Sequence, residues 1–208
     1  MTAKTRAAQI KLILFDVDGV LTDGRIYLFP APAAASSEVN NGAEAKADAG
    51  GFAIASPSYM ECKSFHAHDG TAFSLARLGG LKTGLVTKRI SETVRLRARD
   101  LRVDHLCQGA QDKAATVREI LAKEGLKPEQ MAFVGDDIID LPAMRLAGLA
   151  VAVANAREEV KDEAHIVTDH MGGEGAARDA IEYILKAKGV FDKSLIAYIE
   201  DRSPNVGQ

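Results

Sequence analysis

An apolar run that ends directly in paired acids constrains this chain more than any other feature. Ile10-Lys11-Leu12-Ile13-Leu14-Phe15 leads at once into Asp16-Val17-Asp18-Gly19. Branched and aromatic residues with little polar alternation mark a strand buried on both faces, as in parallel sheets. In open α/β sheets, ligands bind beyond the carboxyl ends of the strands. Two carboxylates just past a strand end can both approach one metal ion, and Gly19 permits the turn that this needs. Burying both acids without a cation would be costly. Asp-Gly is also a common turn, and Asp-x-Asp-Gly occurs in calcium loops. A calcium loop, however, is entered from a helix, and this segment is entered from a strand.

The pattern recurs. Met131 to Val134 reads as a strand and leads into Gly135-Asp136-Asp137-Ile138-Ile139-Asp140. A lone acidic cluster could be a helix cap, with Asp137 or Asp140 in that role. Two clusters at the ends of separate strands point to a shared divalent cation, and oxygen-only ligands favour Mg²⁺ over zinc. Further strands are predicted at Lys82–Thr87, Val103–Leu106, Leu149–Val153 and His165–Thr168. Helices are predicted from Asp69 as cap to Leu78, from Ser91 past Leu101, from Asp112 to near Gly125, from Asp140 to Ala147 and from Glu174 to Lys186. A terminal amphipathic helix is predicted over Phe191–Ile199. Alternation of strand and helix predicts an α/β chain with a largely parallel sheet.

Composition excludes several other classes. The 208 residues carry 26 basic and 29 acidic side chains, which is not the balance of a polybasic nucleic-acid binder. Two cysteines, Cys62 and Cys107, make no disulfide framework and lack metal-ligand spacing, so a reduced, cytoplasmic setting is expected. No apolar run approaches membrane-spanning length, and the N-terminal run is too short and interrupted for a signal peptide. The whole of 1–208 is expected to form one domain. Within it, Arg25–Phe29 and Tyr59–Phe65 are expected to pair as a β-hairpin flap, about residues 25–68. The flap carries a flexible Ala/Pro/Gly-rich insert at about 30–57 that is too poor in large apolar residues for a core of its own. Residues 203–208 are expected to fray.

Two weaker signals complete the set. Thr87-Lys88-Arg89 follows a strand, and Lys113 opens a helix. A hydroxyl, helix-terminal N–H groups and a lysine are anion-binding tools. In their order along the chain, the four segments resemble the motifs of the haloacid dehalogenase-like phosphohydrolases, over roughly residues 8–190 apart from the insert. The resemblance implies a Rossmann-like parallel sheet flanked by helices and a Mg²⁺-dependent phosphatase. By it, Asp16 is the nucleophile, Asp18 the acid and base, and Thr87 and Lys113 the phosphoryl holders. Asp16, the backbone carbonyl of Asp18 and Asp136 hold the metal, supported by Asp137 and Asp140.

Asp16–Gly24, Phe65–Gly70, Gln108-Gly109 and Gly172-Gly173-Glu174-Gly175 resemble more narrowly the capless subfamily. Those enzymes act on 3-deoxy-D-manno-octulosonate 8-phosphate or 2-keto-3-deoxynononate 9-phosphate. This implies no cap domain, a small phosphorylated sugar-acid substrate and a homotetramer built through the hairpins. Lys88, Arg89, His68 and Glu174 then join Thr87 and Lys113 as substrate-binding candidates. Lys88 stands where the family usually has glycine. Glu174 and His68 stand where the octulosonate enzymes generally carry arginine. Glu174 and the run Val94–Ala98 lean towards the nononate enzymes, whereas Arg89 follows the octulosonate pattern. An independent reason to expect self-association is the unpaired edge of the ribbon. The competing reading of another class is a non-catalytic oligomer-forming module. His66 and His68, if on a strand, would share a face, and are read either as a polar strand edge or as a His-x-His metal site. Arg95, Arg97, Arg99 and Arg102 read as a solvated helix face.

Overall fold

A computed structural model describes residues 1–30 and 59–200. The predicted insert at about 30–57, apart from Pro30, and the chain end at 203–208 lie outside the described residues. Six parallel strands, β1 (Leu12–Phe15), β4 (Lys82–Thr87), β5 (His105–Gln108), β6 (Met131–Gly135), β7 (Leu149–Ala152) and β8 (Ile166–Val167), form one sheet in the order β5-β4-β1-β6-β7-β8. The helices between them are α2 (Ala67–Leu78), α3 (Glu92–Leu101), α4 (Lys113–Glu124), α5 (Leu141–Met144) and α6 (Glu158–Glu163). Right-handed crossovers place α2 and α3 on one face and α4 to α6 on the other. α7 (Ala176–Ala187) and α8 (Phe191–Glu200) pack on α2, and α1 (Ala3–Ala7) packs on α7. This is the predicted Rossmann-like sheet flanked by helices. Every residue of β1 is buried, and the Phe15 ring meets Phe73 of α2 at 5.1 Å. Between β1 and α2 the described residues hold a hairpin, β2 (Tyr27–Pro30) with β3 (Tyr59–Cys62), and no helical cap.

Register explains why distant motifs meet. Phe15 pairs with Leu85 on one side and Val134 on the other, and Thr87 pairs with Gln108. Thr87 ends its strand, and Asp16 and Asp136 follow theirs, so the three converge at a single carboxyl edge.

Several boundaries differ from the sequence reading. The strand expected at Val103–Leu106 begins at His105, because the Asp104 carboxylate accepts the Thr83 amide and Val103 still bonds back to α3. The cap of α2 is His66, whose Nδ1 accepts the His68 amide; Asp69 lies inside the helix and accepts the Arg178 amide at 3.0 Å. His66 and His68 therefore sit at a helix start, not on a strand. Ser91 and Asp112 cap α3 and α4 as predicted. The helix expected at Asp140–Ala147 is a 3₁₀ turn, Ile138–Asp140, followed by α5, since Asp140 turns its side chain back onto the preceding amides. Helices α1 and α6 were not anticipated; each has one buried residue, Ala7 and Val160, too little for a periodic signal. Of the arginines on α3, Arg97 turns inward over the Phe65 ring.

Candidate active site

The loop after β1 folds back on itself. The amides of Leu21 and Thr22 both bond to the Val17 carbonyl. Gly19 sits at φ +90°, where a Cβ would lie 2.1 Å from Asp136 Oδ2. Only glycine allows the two acidic loops to approach this closely. Gly172 closes the other side: a Cβ there would fall 1.7 Å from the Gly19 carbonyl oxygen, and the Gly173 amide bonds to Val20.

Beneath the loops lies a buried triad. Lys113, first residue of α4, places Nζ 2.9 Å from Asp16 Oδ1 and 2.6 Å from Asp140 Oδ1. Asp140 Oδ2 accepts the amides of Asp136 and Asp137. Burial pushes the Asp16 carboxyl up to about 7, helped by Asp140 and opposed by Lys113. Burial and the charges of Asp16, Asp140 and Asp137 push Asp136 up to about 8. Burial opposes the charge on Lys113, but Asp16 and Asp140 outweigh it and raise its pKa. Asp16, Asp136 and Asp140 thus crowd around the Lys113 ammonium, and their mutual repulsion favours added positive charge.

The donor set suits a hard cation. Carboxylate oxygens of Asp16, Asp136 and Asp140 lie within 4.8 Å of one another. Asp140 is already committed to Lys113 and two amides, whereas Asp136 Oδ1 is buried without a hydrogen-bond partner among the described residues. Asp16 and Asp136 are thus the side chains with oxygens to offer, and an all-oxygen set matches Mg²⁺. Asp137 caps the 3₁₀ turn through Oδ1 to the Ile138 amide.

Above the floor opens a cleft of about 360 Å³, lined among others by Asp16, Asp18, Thr87, Lys88, Arg89 and Asp136. Thr87 Oγ1 accepts the Arg89 amide at 3.3 Å, which leaves its O–H to donate to an anion. Asp18 is held by Lys63, Nζ to Oδ1 2.5 Å, with Arg89 Nε 3.4 Å from Oδ2. Both cations also reach Glu61, which further accepts the Ser91 hydroxyl at 2.6 Å. Burial works to raise the Glu61 pKa, but Ser91, Lys63 and Arg89 hold it below the ordinary carboxylate value. The structure thus brings together all the predicted residues except His68 and Glu174, which are exposed and do not line the cleft. The sequence reading missed Glu61 and Lys63. Their signal was two opposite charges, two residues apart, in a ribbon otherwise rich in apolar residues.

A carboxylate on a lysine, a hydroxyl donor and a cluster of carboxylate oxygens at the end of a parallel sheet suit a site that handles an anion beside a cation. Comparison with known proteins gives the particulars. Residues 102–179 match the haloacid dehalogenase-like hydrolase family. The chain is 35% identical over 190 residues to the 3-deoxy-D-manno-octulosonate 8-phosphate phosphatase of Salmonella typhi, covering 91% of this chain and 87% of that one. A probable phosphatase structure from Pseudomonas syringae superposes with a TM-score of 0.78 at 37% identity, over 95% of this chain and 97% of that one. The Moraxella catarrhalis 3-deoxy-D-manno-octulosonate 8-phosphate phosphatase, solved with magnesium, phosphate and the sugar acid, also gives 0.78, at 30% identity, over 94% and 97%. The chain belongs to the haloacid dehalogenase-like hydrolases and is a phosphatase acting on phosphomonoesters.

Proposed function

We propose that this phosphatase hydrolyses 3-deoxy-D-manno-octulosonate 8-phosphate, with Mg²⁺, through a phosphoryl group carried on Asp16. The observation that carries the reading is Asp16 held 2.9 Å from Lys113 on the floor of a cleft that also presents Thr87 and Asp18. The names of the relatives support the substrate.

In this mechanism a carboxylate oxygen of Asp16 forms a bond to phosphorus as the ester P–O bond breaks. Asp18 gives its proton to the leaving sugar alkoxide. Asp18 then takes a proton from water, whose oxygen attacks phosphorus, and the Asp16–phosphorus bond breaks to release phosphate. Lys113 and the Thr87 hydroxyl hold the non-bridging oxygens. Lys88 and Arg89 face the incoming substrate from the wall of the cleft. Asp16, Asp136 and the Asp18 carbonyl would hold Mg²⁺, which supplies the positive charge that lets a carboxylate face a phosphate dianion.

His68 and Glu174 contact the sugar acid in an assembly of four copies built through the β2–β3 hairpins. The exposed side chains of Leu28, Phe29, Tyr59 and Met60 on that ribbon support such an assembly. The chain acts as one domain in the cytoplasm.

Phosphate release over a panel of sugar phosphates, with and without Mg²⁺ and with Asp16→Asn as blank, tests the reading. The expected result is kcat/KM on the order of 10⁴ M⁻¹s⁻¹ or more on the octulosonate ester. A higher value on 2-keto-3-deoxynononate 9-phosphate would move the assignment there. Feeble turnover of every ester would favour a scaffold role, and wild-type turnover by Asp16→Asn would sink the mechanism.

A further inference from the structure

We propose that Lys63 is a positioning residue that fixes the Asp18 carboxylate for proton transfer. The inference rests on the reading of Asp18 as acid and base. Lys63 lies just past β3, and its side chain is 0% exposed although it carries an ammonium. Nζ sits 2.5 Å from Asp18 Oδ1 and 3.4 Å from Glu61 Oε1. Glu61 is itself held by the Ser91 hydroxyl at the cap of α3 and by Arg89 Nη2 at 3.2 Å. Lys63 is therefore anchored to the body of the domain through Glu61, and Asp18 is anchored through Lys63.

The geometry divides the two oxygens of Asp18. Oδ1 takes the ammonium, and Oδ2 has no hydrogen-bond partner among the described residues, with Arg89 Nε in a looser ion pair at 3.4 Å. The clamped oxygen sets the plane of the carboxylate, and the other is left to carry the proton. A buried ion pair adds little net stability compared with an apolar pair of equal volume. A fully buried ammonium at this place is better explained by the orientation it imposes. Proton transfer tolerates little misplacement, since donor and acceptor must come within hydrogen-bond reach.

The test is the dependence on the leaving group. An alkyl phosphate needs a proton on its departing oxygen, whereas p-nitrophenyl phosphate leaves as a stable phenolate. The ratio of kcat/KM values for the two esters reads the first chemical step. Asp18→Asn should cut kcat/KM for the alkyl ester at least about 100-fold more than for the aryl ester, within the usual range for general acid catalysis. Lys63→Met should show the same selectivity at about 10-fold or more. In the Asp18→Asn background it should add no further selectivity, because the two residues act as one unit. Lys63→Gln keeps a neutral donor of similar reach and serves if Lys63→Met does not fold; it should show a smaller loss in the same direction. Equal losses on both esters, or selectivity that multiplies in the double variant, would overturn the positioning role. If Asp18→Asn itself lacks selectivity, the reading of Asp18 fails, and the role of Lys63 fails with it.

Discussion

Removing the metal should make the stability of this protein fall as pH rises. Without a cation, Asp16 is pushed up to about 7 and Asp136 to about 8, both from 3.8. Above about pH 5 the unfolded chain has released these two protons, while the folded chain keeps most of them until pH passes the raised values. A group whose folded pKa is raised stabilises the fold below its unfolded pKa and loses that contribution as pH climbs to the folded pKa. Each retained proton gives a slope of about 1.4 kcal/mol per pH unit. Because the two acids repel each other, their effects are not independent, and the combined loss from about pH 5 to about pH 8 is on the order of 4 kcal/mol. Excess Mg²⁺ should keep both acids ionised in the folded state and remove the slope. Urea unfolding at several pH values, in EDTA and in Mg²⁺, measures this directly. His170 is also raised, chiefly by its hydrogen bond to Asp179 and by that carboxylate's charge, so it tilts stability the same way. It does so equally in both arms, so the difference between them isolates the acids. Asp136→Asn should flatten the EDTA arm. A stability gap between EDTA and Mg²⁺ that is the same at pH 5.5 and pH 8 would refute the reasoning.

Three further outcomes are expected. Gly19→Ala must place a Cβ 2.1 Å from Asp136 Oδ2 at φ +90°; it should cost about 1–3 kcal/mol and lower kcat by more than the melting shift accounts for, and normal turnover at saturating Mg²⁺ would contradict the close approach. Asp140→Ala strips Lys113 and two amides of their acceptor and should cost about 3–5 kcal/mol in urea unfolding, together with a large loss of kcat; a loss under about 1 kcal/mol would show that the triad is not a unit. Leu28→Glu with Phe29→Glu on the exposed hairpin should shift sedimentation to a smaller species and reduce turnover together; an unchanged sedimentation coefficient would remove the hairpin from the interface.

The carboxyl edge of the sheet that gathers the candidate residues was legible because its signals are local. Asp16, Thr87 and Asp136 each follow an apolar run, and the parallel register that aligns Phe15, Leu85 and Val134 turns three local signals into one site. The start of α2 was less legible because a histidine took the cap. Asp69, the better cap by propensity, was drawn inside to meet Arg178 from a segment more than a hundred residues away. The Glu61–Lys63 pair escaped for a similar reason. In sequence it resembles a solvated strand edge; only its approach to Asp18 and Ser91 shows that both charges are largely withdrawn from water.

The charges of the cleft divide into two halves of different character. The deep half gathers Asp16, Asp136 and Asp140 around the ammonium of Lys113. Without a cation, burial and mutual repulsion push Asp16 and Asp136 towards holding protons. This is therefore the half that a dication would complete, and completing it would favour the ionised form of Asp16 that the proposed attack needs. The outer half sets Asp18 and Glu61 against Lys63 and Arg89 and is balanced already. A second cation would gain little there, so the electrostatics favour a dication on the floor and the ammonium of Lys63 on Asp18. Under the proposed mechanism, two carboxylates on one nine-residue loop do opposite work, one attacking as an anion and the other delivering a proton.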